Sequence, residues 1–367
     1  MSKAPPATPI LEVNDLDIVF TLRRGQKVRA VDRVSFVVRE GETFGIIGES
    51  GSGKSTVGRC IVCMEPPTHG TVRHHGEDLF ALPQRELRRR RRAFQIVFQD
   101  PNAALDPRMT LVESVREPLD VAGIGTRKER EARALAMLER VSLAPELAWR
   151  YPHEISGGQK QRANIARALM LEPKLIVCDE VVAALDVSIQ ADMLNLFADL
   201  QREFNLTYVF ISHDLRVVAH VSDRVAVMYF GKIVELGAAG EIMETPLHPY
   251  TQALLSAEPE PVPVEQRNRK RIVLKGEIPS ALNPPSGCRF HTRCPRAQSE
   301  CMTREPEWRE LTPGRFVACH YAEPPKPQFS NDRQTGAAIS AGHTHSHAGS
   351  APTKAAPLGE SYREKTT

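Results

Sequence analysis

Apolar and polar residues alternate with period two from Ile10 to Phe20 and again from Val34 to Arg39. That spacing predicts half-buried strands, and the basic stretch Arg23–Lys27 predicts the turn joining antiparallel strands within residues 10–47. The period then changes. Lys54–Cys63 predicts a helix, Phe94–Phe98 a short buried strand, and residues 109–170 a mostly helical stretch, strongest at Arg127–Val141. From Leu175 the two types alternate: strand Leu175–Cys178, helix Val187–Phe204, strand Thr207–Ile211, helix Leu215–Val221, strand Arg224–Met228. This order predicts an α/β fold with a largely parallel sheet flanked by helices.

Periodicity stops near Glu258, where proline, charge and cysteine take over, and from about Glu323 the chain turns to Pro, Ala, Ser, Gly and His. The expected organisation is a flexible terminus over 1–9, a main domain over 10–257 with a helical subdomain at about 100–170, a cysteine-bearing extension over 258–322, and a disordered tail over 323–367. Composition narrows the class. A net charge of +3 is too small to argue for nucleic acid. No apolar run approaches the roughly 18 residues of a membrane helix, and the N-terminus lacks an apolar signal core. The chain is therefore expected in the cytoplasm, with any membrane role through a partner. Seven cysteines in such a compartment are expected as thiols or metal ligands rather than disulfides.

The most informative chemistry lies between Gly48 and Thr56, which reads Gly-Glu-Ser-Gly-Ser-Gly-Lys-Ser-Thr and fits G-x-x-x-x-G-K-[ST]. It follows the apolar run Thr43–Ile47 and opens a helix. Gly48, Ser50, Gly51, Ser52, Gly53 and Thr56 would turn backbone N–H groups inward as an anion nest, reinforced by the helix dipole. Lys54 would reach the β- and γ-phosphates, and Ser55 would hold Mg²⁺. With no internal repeat, the chain carries one nucleotide-binding unit.

Four further segments narrow the reading. Leu175–Glu180 is an apolar strand ending in two carboxylates, placing Asp179 for Mg²⁺ and Glu180 for the attacking water. Ile155–Gln159 presents Ser156, Gly157, Gly158 and Gln159 at a helix start, a second anion site. One nucleotide rarely needs two such sites, so this one is assigned to the nucleotide of a partner subunit. Gln99 ends a strand and begins a proline-bracketed loop, where its amide can touch Mg²⁺ or water and the loop can move. His213 follows a strand end within reach of a γ-phosphate, or is a surface histidine.

Together these segments resemble the nucleotide-binding subunit of ABC transporters over residues 10–240. The resemblance implies a P-loop NTPase fold with a mixed-sheet core, an antiparallel β subdomain and a helical subdomain. It implies Walker A at Gly48–Thr56, the Q-loop at Gln99, the signature at Ile155–Gln159, Walker B at Leu175–Glu180, the D-loop at residues 184–186 with Asp186, and the switch histidine at His213. An adenine-stacking aromatic maps to Phe20, whose alternative is a core strand residue. Tyr151–Gln159, Glu172–Glu180, Leu185–Gln190 and His248–Leu254 look like oligopeptide/dipeptide importers, more narrowly the second, F-type ATPase subunit that partners a D-type one. Ile155 replaces the commoner Leu, and Val181–Ala183 stands where many relatives have Pro-Thr-Ser. The activity implied by the resemblance is ATP hydrolysis energising di- or oligopeptide import from the cytoplasmic face of the membrane. The implied partners are a D-type ATPase subunit, two permeases and a solute-binding protein, periplasmic or lipid-anchored, with no nucleic acid. Related importers carry nickel, glutathione or other small solutes, and a soluble non-transport ABC ATPase is a more distant alternative.

Cys288, Cys294, Cys301 and Cys319 crowd the extension. Four thiolates there can hold an iron–sulfur cluster or zinc, or remain free thiols; the spacing lacks the C-x₂-C pairs of structural zinc sites. Resemblance to importers of this group favours a [4Fe–4S] cluster. Cys60, Cys63 and Cys178 are expected as packed core thiols, His343, His345 and His347 as part of the disordered tail, and Arg88–Arg92 as a solvated helical face.

Overall fold

The computed structural model describes residues 9–183, 185–257, 272–274, 276 and 279–324. Residues 1–8 of the expected flexible terminus, residues 325–367 of the expected tail with its three histidines, and Ala184 of the D-loop lie outside the described residues.

The strands are β1 (Pro9–Thr21), β2 (Lys27–Arg39), β3 (Thr43–Ile47), β4 (His69–His74), β5 (Glu77–Asp78), β6 (Phe94–Val97), β7 (Leu175–Asp179), β8 (Thr207–Ser212), β9 (Arg224–Tyr229), β10 (Lys232–Ala238), β11 (Arg309–Thr312) and β12 (Arg315–Val317). The helices are α1 (Lys54–Ile61), α2 (Gln84–Arg90), α3 (Pro101–Ala104), α4 (Leu111–Ala122), α5 (Arg127–Arg140), α6 (Gly157–Leu169), α7 (Val187–Phe204), α8 (Leu215–Val221), α9 (Ala239–Glu244), α10 (Pro249–Ala257) and α11 (Ser299–Thr303).

β1 and β2 form the expected antiparallel pair, extended by β4 and β5 into a four-stranded sheet in the order β2-β1-β4-β5. Thr43–Ile47 departs from the expectation for residues 10–47. As β3 it joins the other sheet, parallel to both β8 and β9. The reason is burial: all five of its residues are inside, which suits a strand covered on both faces rather than a half-exposed hairpin arm. β7 and β8 are buried end to end for the same reason.

The core sheet runs β11-β12-β10-β9-β3-β8-β7-β6 and is mixed. β6, β7, β8, β3 and β9 are parallel, while β10 turns back antiparallel on β9. The extension adds β12 to β10 at Glu235↔Val317 and Leu236↔Phe316, with β11 outside it. These two short strands carry no period-two signal. Helices α3 to α6 lie within residues 101–169. Thr110 and Thr126 cap α4 and α5 in capping boxes with Glu113 and Glu129, each cap worth about 1 kcal/mol. One apolar cluster lies between the antiparallel sheet and the core sheet around α1, including Phe36 stacked on Phe44; the other joins the helical subdomain to the opposite side.

Cys60, Cys63 and Cys178 are buried, as expected of core thiols. Burial pushes Cys60 up to about 12 and Cys63 up to about 11, so both stay protonated at neutral pH. Arg88, Arg89, Arg91 and Arg92 are exposed, as expected of a solvated face, and Arg90 is intermediate. Arg90 pairs with Glu77, and Arg91 Nη2 donates to the Cys63 carbonyl at 2.5 Å.

Candidate active site

β3 delivers the chain to Gly48 at the C-terminal end of the parallel strands, where ligand crevices of such sheets lie. Two glycines are required by geometry. Gly53 sits at φ 101°, and a Cβ there would come 2.3 Å from the Ala30 carbonyl; one on Gly48 would come 2.1 Å from the Met228 carbonyl. The loop is thus pressed between β2 and β9, leaving no room for side chains on its inner turn.

Lys54, the first residue of α1, is buried. Its ammonium donates to the carbonyls of Gly48 (2.8 Å) and Glu49 (3.0 Å), and lies 4.0 Å from Glu180 Oε1. Burial holds it below its ordinary value, while Glu180, Asp179 and Glu49 pull it back up. Ser52 Oγ is buried without a hydrogen-bond partner among the described residues. A buried cation and an unpartnered hydroxyl in one loop are what an oxyanion would satisfy.

Three strand ends meet this loop. At the end of β7, Asp179 Oδ1 accepts the Ser55 hydroxyl at 2.8 Å. Burial raises the Asp179 carboxyl above the usual range, partly countered by Ser55 and Arg59, so an added cation would be welcome there. Glu180 follows in the left-handed region (φ 50°), a strain of about 1–2 kcal/mol for such a residue, and its N–H is tied to the Ile211 carbonyl at 2.9 Å. Its Oε2 accepts Gln99 Nε2 at 2.9 Å, from beyond β6, and stands 3.4 Å from His213 Nδ1, beyond β8. His213 is placed by Asp214, which caps α8 through the N–H groups of Arg216 and Val217. The structure therefore brings Lys54, Ser55, Gln99, Asp179, Glu180 and His213 into one constellation.

The donor set fits Mg²⁺: hard oxygens of Ser55 and Asp179, with the Gln99 amide adjacent. Phe20 lies near the end of β1, half-buried against the core beside the hairpin arm that covers the loop, paired with Val28.

Ser156 and Gly157 lie elsewhere and are exposed, while Gly158 is buried and Gln159 intermediate. Ser156 caps α6 in a capping box, its Oγ accepting Gln159 N–H at 3.3 Å and its own N–H donating to Gln159 Oε1 at 2.9 Å. Gly157 is exposed with open space around it, whereas a Cβ on Gly158 would come 3.3 Å from Ile189 of α7. Asp186 precedes α7, exposed, with no side-chain cap bond. Sequence reasoning missed how α6 grips the loop after Gln99. Lys160 Nζ donates to Asn102 Oδ1 at 2.8 Å, and Asn164 Nδ2 to the Pro101 carbonyl at 3.4 Å. Only the polar residues near the start of an otherwise apolar-faced helix hinted at it.

Cys288, Cys294, Cys301 and Cys319 line one small cavity, closed by Leu247, His248 and Phe290. Burial raises Cys288 to about 11, and Cys294 and Cys319 in the same direction. Among the described residues no group of three His, Cys, Asp or Glu side chains is placed to hold a metal ion. Neither zinc nor the expected iron–sulfur cluster gains support from that arrangement.

Residues 31–183 match the family model described as ABC transporter, and residues 234–301 the oligopeptide/dipeptide transporter, C-terminal region. The chain is 52% identical to the oligopeptide transport ATP-binding protein AppF of Bacillus subtilis, over 85% of this chain and 97% of that one. It is 51% identical to the oligopeptide transport ATP-binding protein OppF of Salmonella typhimurium, over 81% and 92%. Among solved structures, the dimeric post-hydrolysis state of the ATP-binding cassette MJ0796 bound to ADP and Pi superposes with TM-score 0.58 at 31% identity, covering 62% of this chain and 98% of that one. The cbiO1 subunit of Clostridium perfringens gives TM-score 0.58 at 27% identity, covering 65% and 92%.

Proposed function

Because the chain belongs to the ABC transporter ATP-binding proteins, in their oligopeptide/dipeptide branch, we propose that it is the ATPase subunit that energises import of di- or oligopeptides through membrane permeases. The observation that carries this reading is the pairing of a complete phosphate loop with an exposed Ser156–Gly157 helix start that its own chain leaves open. Half of a composite site is thereby presented to another subunit. The partner is a second, D-type ATPase; the dimeric state of the MJ0796 cassette supports such a closure.

In this reading Lys54 and the loop N–H groups hold the β- and γ-phosphates, with Phe20 against the adenine. Ser55, Asp179 and Gln99 would hold Mg²⁺, which would supply charge neutralisation on the phosphates. Glu180 accepts the proton of the attacking water, and Gln99 and His213 fix its carboxylate and the water between them. Ser156, Gly157, Gly158 and Gln159 serve the partner's nucleotide, with Asp186 at the same seam. Closure moves the loop after Gln99, and α6 carries that motion through Asn102 and Asn164. Beside this loop lies a groove of about 600 Å³, bounded by Arg88, Arg91, Phe98, Ala104 and Val121, which would seat a permease segment. None of the described helices is long and apolar enough to cross a membrane.

The cysteine cavity is read as the seat of a [4Fe–4S] cluster, supported by the shared lining of four thiols. Anaerobic purification followed by iron and sulfide quantitation and a visible spectrum tests it; zinc alone, or no metal, would reject it. The transport reading is tested by co-purifying the chain with its permeases and D-type subunit in proteoliposomes. Peptides should stimulate ATP hydrolysis. Stimulation by nickel or glutathione and not by peptides would replace the cargo, and full activity of the isolated chain would replace the composite site.

A further inference from the structure

Glu49 places a carboxylate inside a loop built to surround polyphosphate, and the extension supplies its counter-charge. Arg293 donates through both terminal nitrogens, Nη1 to Oε2 at 2.7 Å and Nη2 to Oε1 at 3.1 Å. The arginine side chain is 9% exposed, and its guanidinium carbon lies 6.0 Å from the Tyr229 ring centroid. The backbone of Glu49 is held as well: its N–H donates to Tyr250 Oη at 2.8 Å. Tyr229, Tyr250 and Phe290 pack together with ring centroids 4.6 to 5.4 Å apart, and the Arg293 N–H donates to the Phe290 carbonyl at 3.0 Å. A residue 244 positions away thus grips the first turn of the loop with a planar, two-bond fork.

We propose that Arg293 is a positioning residue for the phosphate loop: it cancels the charge of Glu49 and fixes that turn, so the extension sets the affinity for nucleoside triphosphate. This rests on reading the loop as the ATP site. Without the guanidinium, the Glu49 carboxylate would be left unpaired on a loop whose Glu49 carbonyl also receives Lys54, a negative charge that opposes binding of a polyphosphate. The arginine touches no reacting atom, so its effect belongs in binding rather than in the chemical step.

The test is a titration of the full-length chain with a fluorescent ATP analogue and Mg²⁺, comparing wild type, Arg293→Met, Glu49→Gln and the double variant, alongside steady-state kinetics of the assembled complex. Arg293→Met should raise Kd about tenfold or more while kcat at saturating ATP changes less than about twofold. Adding Glu49→Gln should bring Kd back to within about threefold of wild type, because the repulsive charge is gone. Arg293→Gln makes the same comparison should the methionine variant not fold. An unchanged Kd in Arg293→Met, or a double variant as weak as Arg293→Met alone, would reduce the arginine to packing and overturn the proposal. A wild-type chain that binds no nucleotide would instead sink the reading of the loop itself.

Discussion

The Ser55 hydroxyl and the Asp179 carboxylate are joined at 2.8 Å across 124 residues of sequence. A hydroxyl has one proton and two lone pairs. With its proton directed to Asp179, Ser55 keeps its lone pairs for a cation, so both residues are oriented for Mg²⁺ by one bond. Ser55→Ala should lower Mg²⁺-dependent hydrolysis by about 100-fold or more. Nucleotide binding measured in EDTA should change little, since the phosphates are held by Lys54 and backbone. Equal loss in both conditions would mean that Ser55 acts on the loop rather than on the metal.

Asp179 sits in the native state with its carboxyl raised, chiefly by burial. The native state therefore binds its proton more tightly than the unfolded chain does. Its contribution to stability falls as pH climbs from the ordinary carboxylate range through the raised value, and at neutral pH the ionised group is a cost. Asp179→Asn should melt at or above the wild-type temperature without ligand, by up to about 4 °C, while losing Mg²⁺-dependent hydrolysis. Calorimetry with and without Mg²⁺ and nucleotide separates the two effects; a variant that melts lower without ligand contradicts the sign.

Glu180 gathers Gln99, His213 and Lys54 around one carboxylate. Glu180→Gln keeps the shape and removes the base. Turnover should fall by about 100-fold or more, with ATP still bound and the paired subunits arrested in the closed state, visible as a nucleotide-dependent larger species on gel filtration. Near-normal steady-state turnover would remove Glu180 from its assigned role.

Two buried histidines set an acid limit. Burial pushes His248 down to about 3, where its Nδ1 accepts the Tyr250 N–H at 3.0 Å, and His74 down to about 4. Both are neutral in the fold, whereas the unfolded chain takes up their protons near pH 6.5. Their stabilisation is complete above that pH and is lost as pH falls, by about 1.4 kcal/mol per unit for each site, until the folded values are reached. His74→Phe, lying against Phe94 with ring centroids 5.5 Å apart, should gain on wild type progressively between pH 7 and pH 5 in melting experiments. Parallel curves would show that His74 does not contribute.

Much of this was legible in the chain. Val187–Phe204 and Leu215–Val221 have the expected bounds because each helix is punctuated by local signals, such as Asp214 before α8. The phosphate loop and the carboxylates after β7 are readable because the required residues are neighbours in sequence. Thr43–Ile47 was harder: a buried apolar run has no period, so neither its sheet nor its direction could be read from it. The pairing of Arg293 with Glu49 and the addition of β12 to β10 depend on tertiary closure over long separations, which leaves no local pattern.

β12 also carries Arg315, whose guanidinium lies 3.3 Å from Glu235 of β10, both side chains almost fully enclosed. Glu235 also receives the N–H groups of Leu247 and His248. On the ribosome it is made eighty residues before its counter-ion. Until Arg315 emerges, the nascent chain carries a carboxylate that cannot be buried in charged form and a sheet whose flank at β10 stays unzipped. The core sheet is therefore expected to finish folding only after the extension is made. An interrupted translation product, though it holds every nucleotide-facing residue, should be retained by chaperones or degraded instead of joining a transporter.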